Sequence, residues 1–215
     1  MQLENYIDHT LLKPTATISS IKELCNTAIK FNFFAVCVNG CYAALAKKEL
    51  RSSKVKLAVV IGFPLGANTT KCKLSEALDC IENGADEIDM VINIGWLKSK
   101  KYDFVRKEIS DIKKAIGTKT LKVIIETCYL TTVEKQEACR LAIDANADFV
   151  KTSTGFGTGN ATFEDVKLMK DLVGDKVKIK ASGGIKDRET AMRYIELGVS
   201  RIGTSSGVTL MEHGS

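Results

Sequence analysis

The chain has 215 residues, 45% of them hydrophobic, and a formal net charge of +5. Single α/β barrels are often this long, and with only two prolines the chain has no Pro-rich linker, so we expect one domain over residues 1–215. The lysines are mixed with acidic residues and form no basic stripe with interleaved aromatic side chains. This pattern argues against binding of nucleic acid.

The cysteines and histidines do not have the spacing of a metal site. The seven cysteines form no C-x-x-C pair, and the two histidines, His9 and His213, lie near no group of cysteines. An odd cysteine count without a signal peptide indicates free thiols in a reducing cytosol. No apolar run approaches the ~18 residues of a membrane span. We therefore expect a cytoplasmic protein that holds no metal and binds no membrane.

The chain alternates between strand-like apolar runs and segments with helical spacing. Residues 17–31 form the first such helix, with Thr17 as a candidate N-cap and with Ile21, Leu24 and Ala28 on one face. Strand-like runs occupy residues 6–10, 33–38, 55–61, 87–92, 121–126, 148–152, 177–181 and 200–203.

Two later helices have glycines where C-terminal glycines belong. Residues 162–173 are followed by Gly174, and residues 187–197 are followed by Gly198. Eight strands alternating with helices favour a (β/α)8 TIM barrel, and the alternative is a doubly wound open sheet. The first strand, YIDHT, has the weakest pattern because it is short and polar.

A barrel predicts where the chemistry lies, because active sites form at the C-terminal ends of the strands. These ends are rich in ionisable and small polar residues: Asp8, Cys37, Asn39, Gly62, residues 89–93, Glu126, Lys151, Lys180 and Ser205.

Two lysines stand where consecutive strands end. Lys151 lies in FVKTSTGFGTGN (149–160) and Lys180 in VKIKASGGI (177–185). Parallel strands normally bury both faces, so each lysine is an ion-pair partner or a reactive amine. Neighbouring strands lie ~4.8 Å apart, which lets the two amines approach each other. A second cation and burial both favour a neutral amine. The alternative is that both lysines reach the rim and only bind phosphate.

Asp89 lies in EIDMVINIG (87–95). Strand alternation places it on the opposite face from Ile88 and Met90, so we expect it to point into the barrel if those two meet the helices. A buried carboxylate needs a cationic partner. Asp89 is therefore either a structural ion-pair partner or a proton relay beside a lysine.

Three loops are suited to phosphate, because their glycines let backbone N–H groups approach an anion and their hydroxyls add donors. They follow strands six, seven and eight, and the last two are where barrels often bind phosphate. The candidate ligands are Thr154, Gly155, Gly183, Gly184, Ser205 and Ser206. The segment at 155–160 departs from the dinucleotide fingerprint, because Asn160 replaces the third glycine.

With these residues the chain resembles the deoxyribose-phosphate aldolase family of class I aldolases. The resemblance covers nearly the whole chain, in IDHTLLKPTAT (7–17), AVCVN (35–39), GFPLG (62–66), EIDMVIN (87–93), KVIIET (122–127), FVKTSTGFGTG (149–159), KIKASGGI (178–185) and RIGTSSG (201–207). It implies that 2-deoxy-D-ribose 5-phosphate is cleaved reversibly to D-glyceraldehyde 3-phosphate and acetaldehyde, without a cofactor. We also expect a homo-oligomer, a dimer or a tetramer.

The resemblance implies that Lys151 forms the Schiff base, Lys180 tunes it and Asp89 moves protons through an ordered water. The tail after Met211 lacks the tyrosine that some members carry, so proton transfer at the enamine stage has no assigned residue. Two other functions stay open. A phosphosugar isomerase would use a carboxylate base such as Glu126 and no covalent lysine, and a non-catalytic barrel would only bind a phosphorylated ligand.

Overall fold

The computed structural model describes residues 2–211, and the tail with His213 lies outside that part. Eight parallel strands close into one barrel in sequence order. They are β1 (Ile7–Leu11), β2 (Ala35–Asn39), β3 (Lys56–Ile61), β4 (Glu87–Val91), β5 (Thr120–Ile124), β6 (Phe149–Lys151), β7 (Lys178–Ser182) and β8 (Arg201–Thr204). Because β1 pairs with both β2 and β8, the predicted barrel is confirmed and the open sheet is excluded.

Nine α-helices lie within residues 2–211. They are α1 (Ile18–Lys30), α2 (Ala43–Leu50), α3 (Thr70–Glu82), α4 (Ile94–Lys98), α5 (Tyr102–Ile116), α6 (Thr132–Asp144), α7 (Phe163–Val173), α8 (Arg188–Glu196) and α9 (Gly207–Met211). None of the helices in this part of the chain combines the length and apolar composition of a membrane span.

The predicted helix ends follow from local hydrogen bonds. Thr17 caps α1, because its hydroxyl accepts from the backbone N–H of Ser20, whose own hydroxyl accepts from Thr17 N–H. Gly174 follows α7 with a φ of 53°, a left-handed backbone that glycine adopts without strain. Gly198 follows α8 in the same region, with a φ of 92°.

The strands divide the buried residues into an outer and an inner set. On β4, Ile88 and Met90 are fully buried within the apolar layer between strands and helices, as alternation predicts. The inner set holds a small apolar cluster on the side of β1 to β3, made of Leu12, Cys37, Ala58 and Val60 with Phe63 against it. Buried charged side chains share the interior with this cluster, and Asp8 on β1 is one of them.

Candidate active site

Seven charged side chains lie inside the barrel, and each is at most 5% exposed. They come from β1, β4, β5, β6, β7 and β8 and are Asp8, Glu87, Asp89, Lys122, Lys151, Lys180 and Arg201. Such groups are stable in a dry interior only if each is paired. Their pairing therefore decides what the site can do.

Arg201 and Lys122 hold the lower half of this network, which is the half nearer the N-terminal ends of the strands. The Nε of Arg201 donates to Asp8 Oδ1 at 2.6 Å. Its Nη1 and Nη2 donate to Glu87 Oε1 and Oε2 at 3.1 and 2.8 Å. Lys122 Nζ lies 2.6 Å from Glu87 Oε2 and 2.6 Å from Asp89 Oδ1. Each of these two cations thus joins two carboxylates.

Lys180 closes the network from β7. Its Nζ donates to Asp8 Oδ2 at 2.5 Å and to Asp89 Oδ2 at 2.8 Å. The contacts form a closed cycle of alternating charge, which we call the charge ring: Arg201, Asp8, Lys180, Asp89, Lys122 and Glu87. With three cations and three carboxylates, the ring is neutral when all six groups are ionised.

Lys151 is the seventh charged group and stands outside the ring. Its Nζ donates to Asp89 Oδ2 at 2.8 Å, the oxygen that Lys180 also contacts. Among the residues that the structure describes, this is its one carboxylate partner, whereas each ring cation has two. Protonated Lys151 would leave the interior with one excess positive charge. A neutral Lys151 makes the interior neutral.

The pKa values of the two amines move in opposite directions. Burial is the largest influence on the pKa of Lys151 and lowers it. The charge of Lys180 lowers this pKa further and Asp89 raises it, and the net result is a pKa below its usual value. Burial would also lower the pKa of Lys180, but Asp8 and Asp89 outweigh it and raise that pKa. Lys151 is thus the amine suited to be a nucleophile and Lys180 the one that stays a cation.

The two carboxylates that contact Lys180 are held ionised. Burial alone would raise the pKa of Asp89, but Lys122, Lys151 and Lys180 together hold it well below its usual range. Burial likewise opposes ionisation of Asp8, yet the charges of Arg201 and Lys180 lower its pKa to about 2. Asp89 is therefore both a structural ion-pair partner and the carboxylate nearest to Lys151, and the two interpretations made from the sequence are compatible.

A cavity of about 330 Å³ opens at the C-terminal ends of the strands. It brings together six of the predicted site residues: Lys151, Thr154, Gly155, Gly183, Gly184 and Ser205. Lys180 and Asp89 are fully buried and are not among the lining residues. Ser206 also lies outside the lining; its backbone N–H donates to Thr204 Oγ1. The structure thus joins a nearly buried amine to the three predicted phosphate loops.

Two exposed lysines at the cavity were missed by the sequence analysis. Lys13 follows β1 and Lys186 follows β7, and both line the cavity. Their position in the loops that follow β1 and β7 was the available signal. Each adds a positive charge beside the loops proposed for phosphate.

Glu126 anchors the loop after β6. It is 1% exposed and has a left-handed backbone with a φ of 52°. Its Oε1 accepts from the backbone N–H of Thr154 at 3.1 Å, and its Oε2 accepts from the Thr154 hydroxyl. A Cβ on Gly157 would lie 2.8 Å from Cys128 Sγ, so this loop packs closely. The carboxylate that an isomerase would need as a base is thus engaged by the protein itself and does not line the cavity.

His9 belongs to a metal-binding residue type, but it packs against an aromatic side chain. His9 is 8% exposed, and its ring lies 5.3 Å from that of Phe33, centroid to centroid. Burial is the largest influence on its pKa and lowers it. Within residues 2–211, no group of three or more His, Cys, Asp or Glu side chains is arranged to hold a metal ion.

Comparison with known proteins gives concordant results. Residues 4–210 match the model of a family described as DeoC/LacD family aldolase. A deoxyribose-phosphate aldolase from Finegoldia magna is 58% identical over 212 residues, covering 99% of this chain and 100% of the relative. A solved structure described as "QR15, an Aldolase" is 44% identical, with a TM-score of 0.94, over 97% of this chain and 93% of that chain. The tetrameric deoxyribose phosphate aldolase from Aeropyrum pernix is 32% identical, with a TM-score of 0.89, over 97% and 88%.

Proposed function

The chain belongs to the DeoC/LacD family of aldolases, and we propose that it reversibly cleaves 2-deoxy-D-ribose 5-phosphate to D-glyceraldehyde 3-phosphate and acetaldehyde through a Schiff base on Lys151. One observation carries the proposal. Lys151 is the seventh ionisable group of the interior, it stands outside the neutral charge ring, and it lines the cavity. A buried amine with one carboxylate contact loses its proton more readily than one with two.

The first stage forms the imine. Neutral Lys151 Nζ attacks the C1 aldehyde of the open-chain sugar and gives a carbinolamine. The carbinolamine hydroxyl takes up a proton and leaves as water, so that a protonated imine remains. Lys180 is already paired to Asp8 and Asp89, so its charge persists through this step. It disfavours protonation of the free Lys151 amine between turnovers.

The second stage breaks the C2–C3 bond. The C3 hydroxyl loses its proton and becomes the aldehyde of glyceraldehyde 3-phosphate, while the electron pair of the C2–C3 bond moves toward the imine and leaves an enamine on Lys151. Protonation at C2 and hydrolysis then release acetaldehyde and the free amine. Asp89, with water, is our candidate for these proton transfers. Its low pKa suits a relay that passes each proton on rather than storing it.

The phosphate is proposed to lie against the loops after β6, β7 and β8. Gly183 and Gly184 have φ values of 88° and 76°, a conformation in which glycine backbone N–H groups can face an anion. Ser205 adds a hydroxyl, and Lys13 and Lys186 add charge at the same cavity. Holding the phosphate fixes the carbonyl for attack by Lys151. Ser206 stays a prediction without a place in the cavity lining.

The state of assembly is also proposed by analogy. The Aeropyrum pernix relative is tetrameric. On this chain Trp96 and the 56% exposed Phe104 form an edge-to-face pair, with ring centroids 5.7 Å apart, on the helical side of the barrel. Aromatic side chains are enriched in subunit interfaces. A dimer or a tetramer is therefore our expectation, and sedimentation of the purified protein would measure it.

Reductive trapping tests the proposed Schiff base. Borohydride added with acetaldehyde should leave one ethyl group on Lys151, mapped by peptide mass spectrometry, because reduction makes the imine permanent. Lys151→Arg should abolish the adduct, whereas Lys186→Arg, a change at another cavity lysine, should leave it in place. An adduct mapped to Lys180 would reverse the two lysine roles. An active wild-type enzyme without any adduct would favour the isomerase mechanism, and an inactive protein without one would favour a binding barrel.

A further inference from the structure

We propose that Glu87 and Arg201 are positioning residues for the reaction: by closing the charge ring they fix its net charge at zero, and so decide that Lys151 is the amine that gives up its proton. The inference rests on the proposed function, because it concerns the amine proposed as the nucleophile. Neither residue lines the cavity, and the aldolase steps use neither of them directly.

The lower end of the ring is shielded from water. Arg201 is 3% exposed and Glu87 is 5% exposed. The ring of Phe34 lies under the guanidinium, with its centroid 3.6 Å from Arg201 Cζ. Solvent and salt screen such charges weakly, so they act over longer distances than surface charges do.

Glu87 is connected to Lys151 through Lys122 and Asp89, and Arg201 through Asp8, Lys180 and Asp89. Glu87 precedes Asp89 by two residues on β4, so their Cα atoms lie only ~6.6 Å apart along the strand. Arg201 is the register partner of Lys180, which in turn is the register partner of Lys151. Lys151, Lys180 and Arg201 therefore lie side by side on β6, β7 and β8. The neighbouring carboxylates decide how many of these three groups stay charged.

Neutralising one member changes the ring charge by one unit, with a sign that depends on the residue. Arg201→Gln leaves the ring at −1, so Lys151 becomes the cation that balances it and its pKa should rise. Glu87→Gln leaves the ring at +1, so the pKa of Lys151 should fall. At ~8 Å and an effective dielectric constant of ~20, each change corresponds to about 1 to 2 pH units.

The measurement is kcat/KM against pH, whose acid limb reports ionisation in the free enzyme. We expect the limb to move to higher pH in Arg201→Gln and to lower pH in Glu87→Gln. In the double variant both charges are absent, the ring is neutral again, and the limb should return toward its wild-type position. Arg201→Lys keeps the charge and should keep the limb in place.

A buried pair elsewhere serves as the control for stability. Lys73 Nζ lies 2.8 Å from Glu108 Oε2, with both side chains fully buried, between α3 and α5 rather than in the ring. Glu108→Gln should lower the melting temperature without moving the acid limb. If Arg201→Gln does not fold, the near-isosteric Glu87→Gln and the charge-preserving Arg201→Lys still give the test.

Borohydride trapping in each variant separates this inference from the proposed function. If the wild type forms no adduct on Lys151, the proposed function itself is contradicted. If folded Glu87→Gln forms an adduct on Lys151 but its acid limb is unchanged or moves to higher pH, the role of the ring is overturned. The proposed function is then unaffected. Opposite shifts in the two single variants would establish the role of the ring.

Discussion

Lys151 and Lys180 are register partners on neighbouring strands, and both donate to the same oxygen, Asp89 Oδ2, at 2.8 Å. The two amines differ in what else they contact. Lys180 also reaches Asp8, whereas Asp89 is the one carboxylate partner of Lys151 in the part of the chain that the structure describes. This asymmetry gives two adjacent lysines opposite ionisation behaviour.

Lys180→Leu tests that asymmetry. The change removes a neighbouring cation and leaves the charge ring at −1, so Lys151 should hold its proton more firmly. We expect the acid limb of kcat against pH, at saturating substrate, to move upward by more than ~1 pH unit. Lys180→Arg should preserve much of the effect, although its wider fork disturbs geometry. If the limb stays in place in Lys180→Leu, Lys180 does not set the pKa of Lys151.

Asp89→Asn separates proton transfer from formation of the imine. An amide does not accept a proton at neutral pH, so kcat should fall by ~10² to 10⁴. The loss of a negative charge beside Lys151 also favours its neutral form, so borohydride should still label Lys151. Both readouts are taken on protein whose fold is checked by circular dichroism. Full cleavage activity in this variant would remove Asp89 from the proton route.

Gly184→Ala tests the proposed phosphate loop. A Cβ there would lie 3.0 Å from Asn160 Cβ, on a backbone with a φ of 76° that alanine adopts only with strain. We expect KM for 2-deoxyribose 5-phosphate to rise about tenfold, since ~1.4 kcal/mol is a factor of ten. Unphosphorylated deoxyribose, which we expect to react far more slowly, should be little affected.

Gly117→Ala is the matched control for Gly184→Ala. Gly117 has a φ of 60° and no neighbour within 4 Å of an added Cβ, and it ends α5 away from the cavity. It should lower stability through the same backbone strain and leave both KM values unchanged. Equal effects of the two variants on KM would mean that the loop after β7 does not hold phosphate.

Glu126→Gln tests the anchor of the loop after β6. The change weakens the charge-assisted contacts to Thr154, which are worth ~1.5 to 3 kcal/mol, so KM for the phosphorylated sugar should rise about tenfold or more. The control is Glu134→Gln, because Glu134 Oε2 accepts from Thr131 N–H in a helix cap of α6. A loss of kcat at unchanged KM would instead point to Glu126 as the base of an isomerase.

Chelators should leave activity unchanged. The imine on Lys151 supplies the electron sink that zinc supplies in metal-dependent aldolases, and the sequence spacings of His and Cys do not fit a catalytic metal site. The assay is cleavage after dialysis against a chelator, with added zinc as the comparison. Activity that is lost and then restored by zinc would contradict the amine mechanism.

The barrel could be predicted from the sequence alone, and so could its eight strands, to within about two residues at each end. Alternating apolar runs and helical segments predicted all eight strands, and the apolar Ile88 and Met90 placed Asp89 on the inner face. These features are local, because side-chain direction in a strand depends only on its neighbours in sequence. Lys151 and Lys180 could be chosen for the same reason, as charged residues where buried strands end.

The charge ring could be seen only in the tertiary structure. Its bonds join residues far apart in the chain, such as Lys180 to Asp8 across 172 positions and Arg201 to Asp8 across 193. Glu87 has the same parity on β4 as Asp89 and also turns inward, but no local pattern names its partners, Lys122 and Arg201. Strand register and the closure of β8 onto β1 decide which inward side chains meet, and neither is encoded in a local pattern. The closure of the barrel therefore decides that Lys151 is the amine outside the charge ring.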